Sequence, residues 1–181
     1  SDSTGIYATG PNAQPADPHY GANYWQDWER PVHIEFFEPD GRMGFSMNGG
    51  IKIFGGWSRA RPQKSFSIFA RGRYGTSEIA YKIFENNPIS SFQSFILRNS
   101  GNDWVGEWGG YTMFRDALMT GLVGPTGIEV QDYRPAVIFL NGEYWGILNI
   151  REKISEHYLA SHFPVDPDDV DMLENENSVI N

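Results

Sequence analysis

The most suggestive polar residues of this chain surround a pair of glycines at the end of an apolar segment. Gly55 and Gly56 follow a short apolar run, Ser58 and Arg59 come next, and Lys64 opens the following apolar segment. Glycines let a backbone approach a ligand closely, and Arg and Lys donate hydrogen bonds that match phosphate oxygens. The segment lacks the Walker spacing and precedes a strand rather than a helix, which excludes a P-loop. The pattern therefore predicts either an anion-contacting loop or a plain turn with solvated basic residues.

Three carboxylates complete the set of candidate residues. Glu152 ends a predicted buried strand, where it would accept from an adenine amino group, cap the next helix or pair with a basic neighbour. Asp116 lies within a predicted helix and would either reach Lys64 across the sheet or join a solvated Arg-Asp face. Asp103 precedes that helix and is interpreted as its cap, with contact to a cation or a basic side chain as the alternative.

The remaining acidic and imidazole residues do not predict a metal site. The aspartates at 166–171 lack the central glycine and the closing glutamate of an EF-hand loop, so they indicate an Asp-Pro turn with a helix start. His157 and His162 are five positions apart, which misses the i, i+4 spacing of a zinc-binding helix.

The elements that must position these residues follow from hydrophobic periodicity. Alternation predicts strands over 32–38, 51–54 and 64–71, with shorter ones over 79–84 and 94–98. Helical spacing predicts a helix from Tyr111 to Leu122, with Asp116 on its polar face, and a short helix over 154–163. Asn141-Gly142 between two apolar runs predicts a tight β-hairpin. Residues 1–30 indicate an extended lead-in held by aromatic side chains. This order predicts an α+β domain: an antiparallel sheet, one main packed helix and a short C-terminal helix.

Bulk composition excludes several classes of protein. The chain has 181 residues, 40% of them hydrophobic, which is enough for one domain with a core. A net charge of −9 without any basic block argues against a nucleic-acid binder. The absence of cysteine excludes disulfides and thiolate metal sites. No apolar run approaches the roughly 20 residues of a membrane span. The start at Ser1 rather than Met leads us to expect a segment of a longer protein.

Several motifs in series resemble the spore-coat CotH family of atypical protein kinases, most closely the branch found in long exported bacterial proteins. The resemblance covers nearly the whole chain, and the order of the motifs makes it more specific than any one of them. It rests on Gly55-Gly56-Trp57-Ser58-Arg59, Leu97-Arg98-Asn99-Ser100-Gly101-Asn102-Asp103, Phe114-Arg115-Asp116-Ala117, Asn141-Gly142-Glu143-Tyr144-Trp145-Gly146 and Ile150-Arg151-Glu152.

The resemblance implies a kinase N-lobe over residues 31–181, together with the start of the inter-lobe region. ATP and a divalent metal would be the cofactors, and secreted or surface proteins the substrates, which places the protein outside the cell or in its envelope. The family's site maps residue by residue onto this chain: Gly55, Gly56, Ser58 and Arg59 over the phosphates, Lys64 in contact with them, Asp116 as the lysine's partner, and Glu152 at the hinge beside adenine.

Two departures from ordinary kinases limit what the resemblance implies. The helix centre carries no glutamate, which puts a Lys64–Asp116 pair in doubt. None of the aspartates at 166–171 matches the family's catalytic or metal-binding context. We therefore expect residues 1–181 by themselves to have no kinase activity.

Two other functions are compatible with the sequence. The aromatic lead-in and the acidic charge also suit a non-catalytic surface adhesion or glycan-contacting module of a large exported bacterial protein. The chain is also compatible with a degenerate member of the family, which would bind nucleotide and regulate another protein without transferring phosphate. An exposed lobe face would in addition allow the chain to dimerise.

Overall fold

A computed structural model describes residues 3–103, 111–174 and 178–180. Six strands form one antiparallel sheet in the order β1-β2-β3-β4-β6-β5, and a short hairpin, β7–β8, forms a second sheet. Two short helices accompany them, so the architecture is dominated by the sheet. None of the helices in the described ranges is long and apolar enough to cross a membrane. The elements are β1 (Arg30–Phe37), β2 (Met43–Phe54), β3 (Ser65–Phe69), β4 (Ser94–Arg98), α1 (Arg115–Val123), β5 (Tyr133–Leu140), β6 (Glu143–Glu152), α2 (Glu156–His162), β7 (Met172–Glu174) and β8 (Ser178–Ile180).

The first hairpin is longer than the sequence predicts. Strand β1 alternates between half-buried and exposed residues, as expected, and the turn at 39–41 places Gly41 at φ +84°. Strand β2, however, starts at Met43 rather than at Ile51. The additional residues, 43–50, include three glycines and an asparagine, which have low intrinsic strand propensity. Pairing with both β1 and β3 outweighs that preference.

The predicted strand over 79–84 is wrong. Only an isolated bridge joins Ile79 to Phe92, and the rest of the segment is irregular. Ile83 and Phe84 are nevertheless buried, because the segment lies against the sheet and fills the core. Hydrophobic content alone therefore does not distinguish this buried connection from a strand.

The second hairpin forms as predicted. Asn141 and Gly142 both adopt positive φ, at +52° and +82°, as a type I′ turn requires. Strands β5 and β6 pair along their length, with one irregularity between Ile138 and Phe139. Strand β5 lies at one edge of the sheet and contains Pro135, whereas β1 lies at the other edge and contains Pro31.

One face of the sheet carries the apolar core in two adjoining clusters. The first includes Ile68, Phe95 and Ile150 and is covered by the 79–92 connection. The second includes Ile53, Phe66 and Leu148 and is covered by the lead-in. The lead-in contributes Ala22, which is fully buried, and Tyr24, which is 5% exposed. The lead-in therefore packs into the same body as the sheet.

Helix α1 lies on the opposite face and packs differently from the prediction. It begins at Arg115, so Tyr111 and Phe114 precede it. Ala117 is its buried residue, whereas the apolar side chains of the predicted packed face are largely exposed, among them Leu118 and Leu122. Asp116, predicted on the polar face, is directed at the sheet by its ion pairs.

Asp103 caps the entry to α1, as the sequence predicts. Its carboxylate accepts hydrogen bonds from the backbone N–H groups of Thr112, Phe114 and Arg115, at 2.8–3.0 Å, and from the Thr112 hydroxyl. Burial raises the pKa of this carboxyl group, but the hydrogen bonds to the ionised form outweigh burial and hold the pKa well below its usual value.

Removal of this cap should destabilise the fold. We expect Asp103→Ala to lower the free energy of unfolding by about 1–2 kcal/mol. Because the folded pKa is depressed, the contribution of Asp103 is complete above the unfolded pKa of 3.8 and declines as the pH falls below it. Urea denaturation of the wild type and of Asp103→Ala at pH 7 and at pH 3 measures this. A stability difference that grows on acidification would contradict the assignment.

Candidate functional site

The glycine loop, residues 55–64, connects β2 to β3 and folds back on itself. Gly55 has φ +105°, and a side chain there would collide with the Ser58 hydroxyl. The Arg59 Nε–H donates to the Gly55 carbonyl, which closes a tight turn. Gly56 faces open space, and Trp57 is 64% exposed. The loop therefore presents bare backbone to solvent at the residues predicted to approach phosphates.

Lys64 is directed inward rather than toward this open backbone. Its ammonium donates to the carbonyl oxygens of Arg59 and Arg61, at 2.6 and 2.9 Å, and the residue is 4% exposed. The same nitrogen lies 3.8 Å from the centre of the Tyr24 ring and 5.0 Å from that of Tyr7. Burial lowers the pKa of the Lys64 ammonium to about 8. Carbonyls and aromatic faces thus take the place that the sequence assigned to a carboxylate or a phosphate.

Asp116 pairs with two arginines and not with Lys64. Its Oδ2 accepts from Arg98 Nε and from Arg151, each at 2.6 Å. Within the described residues, Lys64 and Asp116 form no ion pair, so the alternative in which Asp116 reaches Lys64 does not occur. The reason is strand alternation: Lys64 shares a face with Phe66, whereas the two arginines point to the opposite face, on which α1 lies.

The arginine–aspartate cluster, Arg98, Asp116 and Arg151, joins two guanidinium groups to one carboxylate. Arg151 is 1% exposed and lies beneath the pair, while the side chains of Arg98 and Asp116 are each about one-third exposed. Burial lowers the pKa of the Arg151 guanidinium, and the neighbouring Asp116 opposes that effect. The carboxylates of Glu152 and Asp132 also act electrostatically on Arg151, so the two guanidinium groups are balanced by nearby negative charge. Arg98 is the more exposed of the two guanidinium groups, and it is the one that an anion at this surface would contact.

This cluster and the glycine loop meet at the same end of the sheet. Ser65 is the first residue of β3 after the loop. Its hydroxyl donates to the Asn99 side chain at 2.8 Å and accepts from the Asn99 backbone N–H at 2.9 Å. Asn99 directly follows Arg98. The end of the glycine loop and the half-buried Arg98 therefore lie at the same end of the sheet.

Glu152 lies far from Lys64 and has no free acceptor atom. Its Oε1 accepts from Asn87 and lies 2.9 Å from His162 Nε2, and its Oε2 accepts from the backbone N–H of Asp132 at 2.9 Å. The carboxylate is 2% exposed, so it cannot accept from an adenine amino group. Nor does it cap the next helix, because Ser155 does so. Glu152 instead ties four segments of the chain together.

The strand register shows how far apart Lys64 and Glu152 lie. Phe66 is opposite Leu97, and Leu97 is opposite Ile150. Lys64 lies two residues to one side of this row and Glu152 two residues to the other side, which is roughly 13 Å of strand. The structure therefore does not bring these residues into one nucleotide slot.

Sequence reasoning missed the residues that surround these three. His162 links Glu152 to Glu129, with one ring nitrogen 2.7 Å and the other 2.9 Å from a carboxylate oxygen. Arg98 and Arg151 lie in the quoted motifs, but sequence reasoning assigned no role to Arg98 and suggested Arg151 only as one alternative partner of Glu152. Their signal was position: each lies near the end of a strand, on the face next to the predicted helix, and Asp116 is the acidic residue on that helix.

The described residues also form a cleft that lies away from the glycine loop and the arginine–aspartate cluster. The cleft has a volume of about 340 Å³, lies beside α2 and includes Glu78, Lys153 and His157 among its lining residues. Neither Lys64 nor Arg98 lines it. Within the described ranges, no group of three or more His, Asp or Glu side chains could hold a metal ion.

Comparison with protein families and with curated proteins shows which family the chain matches. The family model described as CotH kinase protein matches residues 51–180. The matched range includes the glycine loop, the arginine–aspartate cluster and Glu152, but not the lead-in. No curated protein matches the chain.

The buried Glu152 network predicts a large loss of stability when it is broken. We expect Glu152→Ala to lower the free energy of unfolding by about 3–5 kcal/mol, because it leaves buried partners of a charged group unpaired. Glu143→Ala, on an exposed position of the same strand, is the matched control and should change stability by less than about 0.5 kcal/mol. Chemical denaturation measures both, and equal midpoints would show that the network contributes nothing.

Proposed function

The chain belongs to the CotH kinase family, and from that premise we propose that it forms a nucleotide-binding lobe in which Arg98 contacts the phosphates. The family indicates a kinase-like function. In protein kinases, the phosphate-contacting lysine lies on the strand before the lobe's helix and pairs with a carboxylate on that helix. Here the strand before the helix is β4, its basic residue is Arg98, and Asp116 is the carboxylate.

The single observation that supports this proposal is the 2.6 Å ion pair between Arg98 and Asp116. The order of elements agrees with it, because β2, a glycine loop, β3, β4, α1, β5 and β6 follow in sequence and end at Glu152. Arginine in place of lysine retains the positive charge and adds bidentate geometry toward phosphate oxygens. The proposal therefore assigns to Arg98 the role that the resemblance gave to Lys64.

The other parts of the proposed site follow from the loop. The backbone of Gly55 and Gly56, with Ser58, would approach the phosphates from the β2–β3 connection, near Arg98. Bound ATP would supply the transferable phosphoryl group. The resemblance alone supports protein acceptors and an exported location, and we propose both on that basis.

Substitution of Arg98 tests the proposal directly. We expect Arg98→Ala to weaken ATP binding at least about tenfold, because a hydrogen bond to a charged group contributes about 1.5–3 kcal/mol. Arg98→Lys should retain part of the affinity, since it keeps the charge. Isothermal titration calorimetry with ATP and Mg²⁺ measures both variants.

The matched control is Arg73→Ala, which removes an exposed arginine that pairs with Glu29 away from the proposed site. It should leave the affinity for ATP unchanged. A wild-type chain that binds no ATP, or an Arg98→Ala variant with wild-type affinity, would refute the proposed function.

A further inference from the structure

The described part of the lead-in, residues 3–30, lies outside the family match but is in direct contact with the glycine loop. We propose that the lead-in clamps this loop through Lys64, and that Tyr7 and Tyr24 are positioning residues for the phosphate-binding backbone. The inference rests on the proposed function and extends the site beyond residues 51–180. Nothing in the family match assigns a role to either tyrosine.

The first part of the clamp is the Lys64 ammonium. It lies at the end of the loop and binds the carbonyl oxygens of Arg59 and Arg61, which lie within it. These contacts close the loop into a short ring around a buried charge. Because the residue is 4% exposed, the ammonium acts on the loop itself and not on a ligand in solvent.

The second part is the pair of tyrosines that enclose this charge. The Tyr24 and Tyr7 rings lie 3.8 and 5.0 Å from the nitrogen, within the range of cation–π attraction. The Tyr7 hydroxyl also binds the loop backbone directly. It accepts from the Lys64 N–H at 2.9 Å and donates to the Pro62 carbonyl. Without the tyrosines, the buried ammonium would lose its aromatic partners and the loop two hydrogen bonds.

The third part is the attachment of the lead-in to the core. Tyr24 and Ala22 belong to the apolar cluster that contains Phe66, on the strand that follows the loop. The Tyr24 hydroxyl and the Trp25 indole N–H both donate to the Pro18 carbonyl, at 3.2 and 2.9 Å. Tyr24 is therefore held in place by the core, and Tyr7 packs against the same cluster.

A clamped loop binds phosphate more tightly than a loose one. Ordering a flexible backbone on binding has an entropic cost that opposes affinity, and prior ordering removes that cost. The bare backbone at Gly55 and Gly56 needs such support, because glycine is the most flexible residue when unfolded. The lead-in supplies this support from the face opposite to the arginine–aspartate cluster.

Limited proteolysis tests the clamp without any nucleotide. Trypsin can cut the Arg59–Ala60 bond only when the loop opens locally. We expect Tyr24→Leu and Lys64→Met to raise the rate of this cleavage about tenfold or more, which matches the loss of a few weak polar contacts. Tyr24→Phe keeps the ring over the ammonium but loses the hydrogen bond to Pro18, so its cleavage rate should lie between that of the wild type and that of Tyr24→Leu. Mass spectrometry identifies the cleaved bond.

Two further variants separate a local effect from unfolding. Tyr7→Phe removes one hydroxyl and keeps the ring, so it should open the loop while the melting temperature falls only slightly. Tyr144→Leu, at an exposed tyrosine outside the clamp, should change neither the rate of cleavage at Arg59–Ala60 nor the melting temperature. If Tyr7→Phe, Tyr24→Leu and Lys64→Met all leave cleavage at Arg59–Ala60 unchanged, the clamp does not exist.

The affinity for ATP then tests the positioning role. If the clamp positions the loop, Tyr7→Phe and Tyr24→Leu weaken binding at least threefold, while Tyr24→Phe weakens it less than Tyr24→Leu does. If the loop opens but wild-type affinity persists, the positioning role is refuted and the proposed function survives. If the wild-type chain binds no ATP, the proposed function fails and the positioning role fails with it, whatever the cleavage rates show.

Discussion

The placement of α1 depends on one carboxylate oxygen. Asp116 Oδ2 accepts from guanidinium groups on β4 and β6, two neighbouring strands, and so attaches the helix to the centre of the sheet. Apolar packing contributes little to this attachment, because Ala117 is buried while Leu118, Met119 and Leu122 are largely exposed. Together with the Asp103 cap, the ion cluster does what a hydrophobic stripe does in most amphipathic helices. The proposed nucleotide site lies at the same cluster, so the charges that hold α1 on the sheet are also those to which the proposal assigns nucleotide binding.

A buried lysine usually requires a carboxylate, and this chain stabilises one without it. The Lys64 ammonium has backbone carbonyls on one side and tyrosine rings on the other, all from residues close to it in space but divided between the loop and the lead-in. This explains why the sequence was misleading at this position. A lysine that opens a strand after two glycines has the spacing expected of a phosphate ligand, but strand alternation turned its side chain toward the lead-in.

Local sequence patterns were sufficient to predict the elements that depend only on neighbouring residues. The Asn141-Gly142 turn, strands β1 and β4 and the Asp103 cap were all predicted, because turn geometry, alternation and capping depend on neighbouring residues. The missed features depend on contacts between distant segments. The first half of β2 is a strand because two partners pair with it, and the enclosure of Glu152 by Asn87, Asp132 and His162 joins segments up to 65 positions apart. No window of the sequence contains that information.

The prolines at the two edges of the sheet have a consequence for assembly. Pro31 and Pro135 lie in β1 and β5, the strands whose outer sides have no neighbouring strand within the six-stranded sheet. Each lacks the N–H that an incoming strand would need from that residue to extend the ladder. Growth of the sheet from one molecule into the next is therefore interrupted at both margins. A long, aromatic-rich antiparallel sheet would otherwise be a template for fibril-like stacking, and these two residues oppose that outcome at high local concentration.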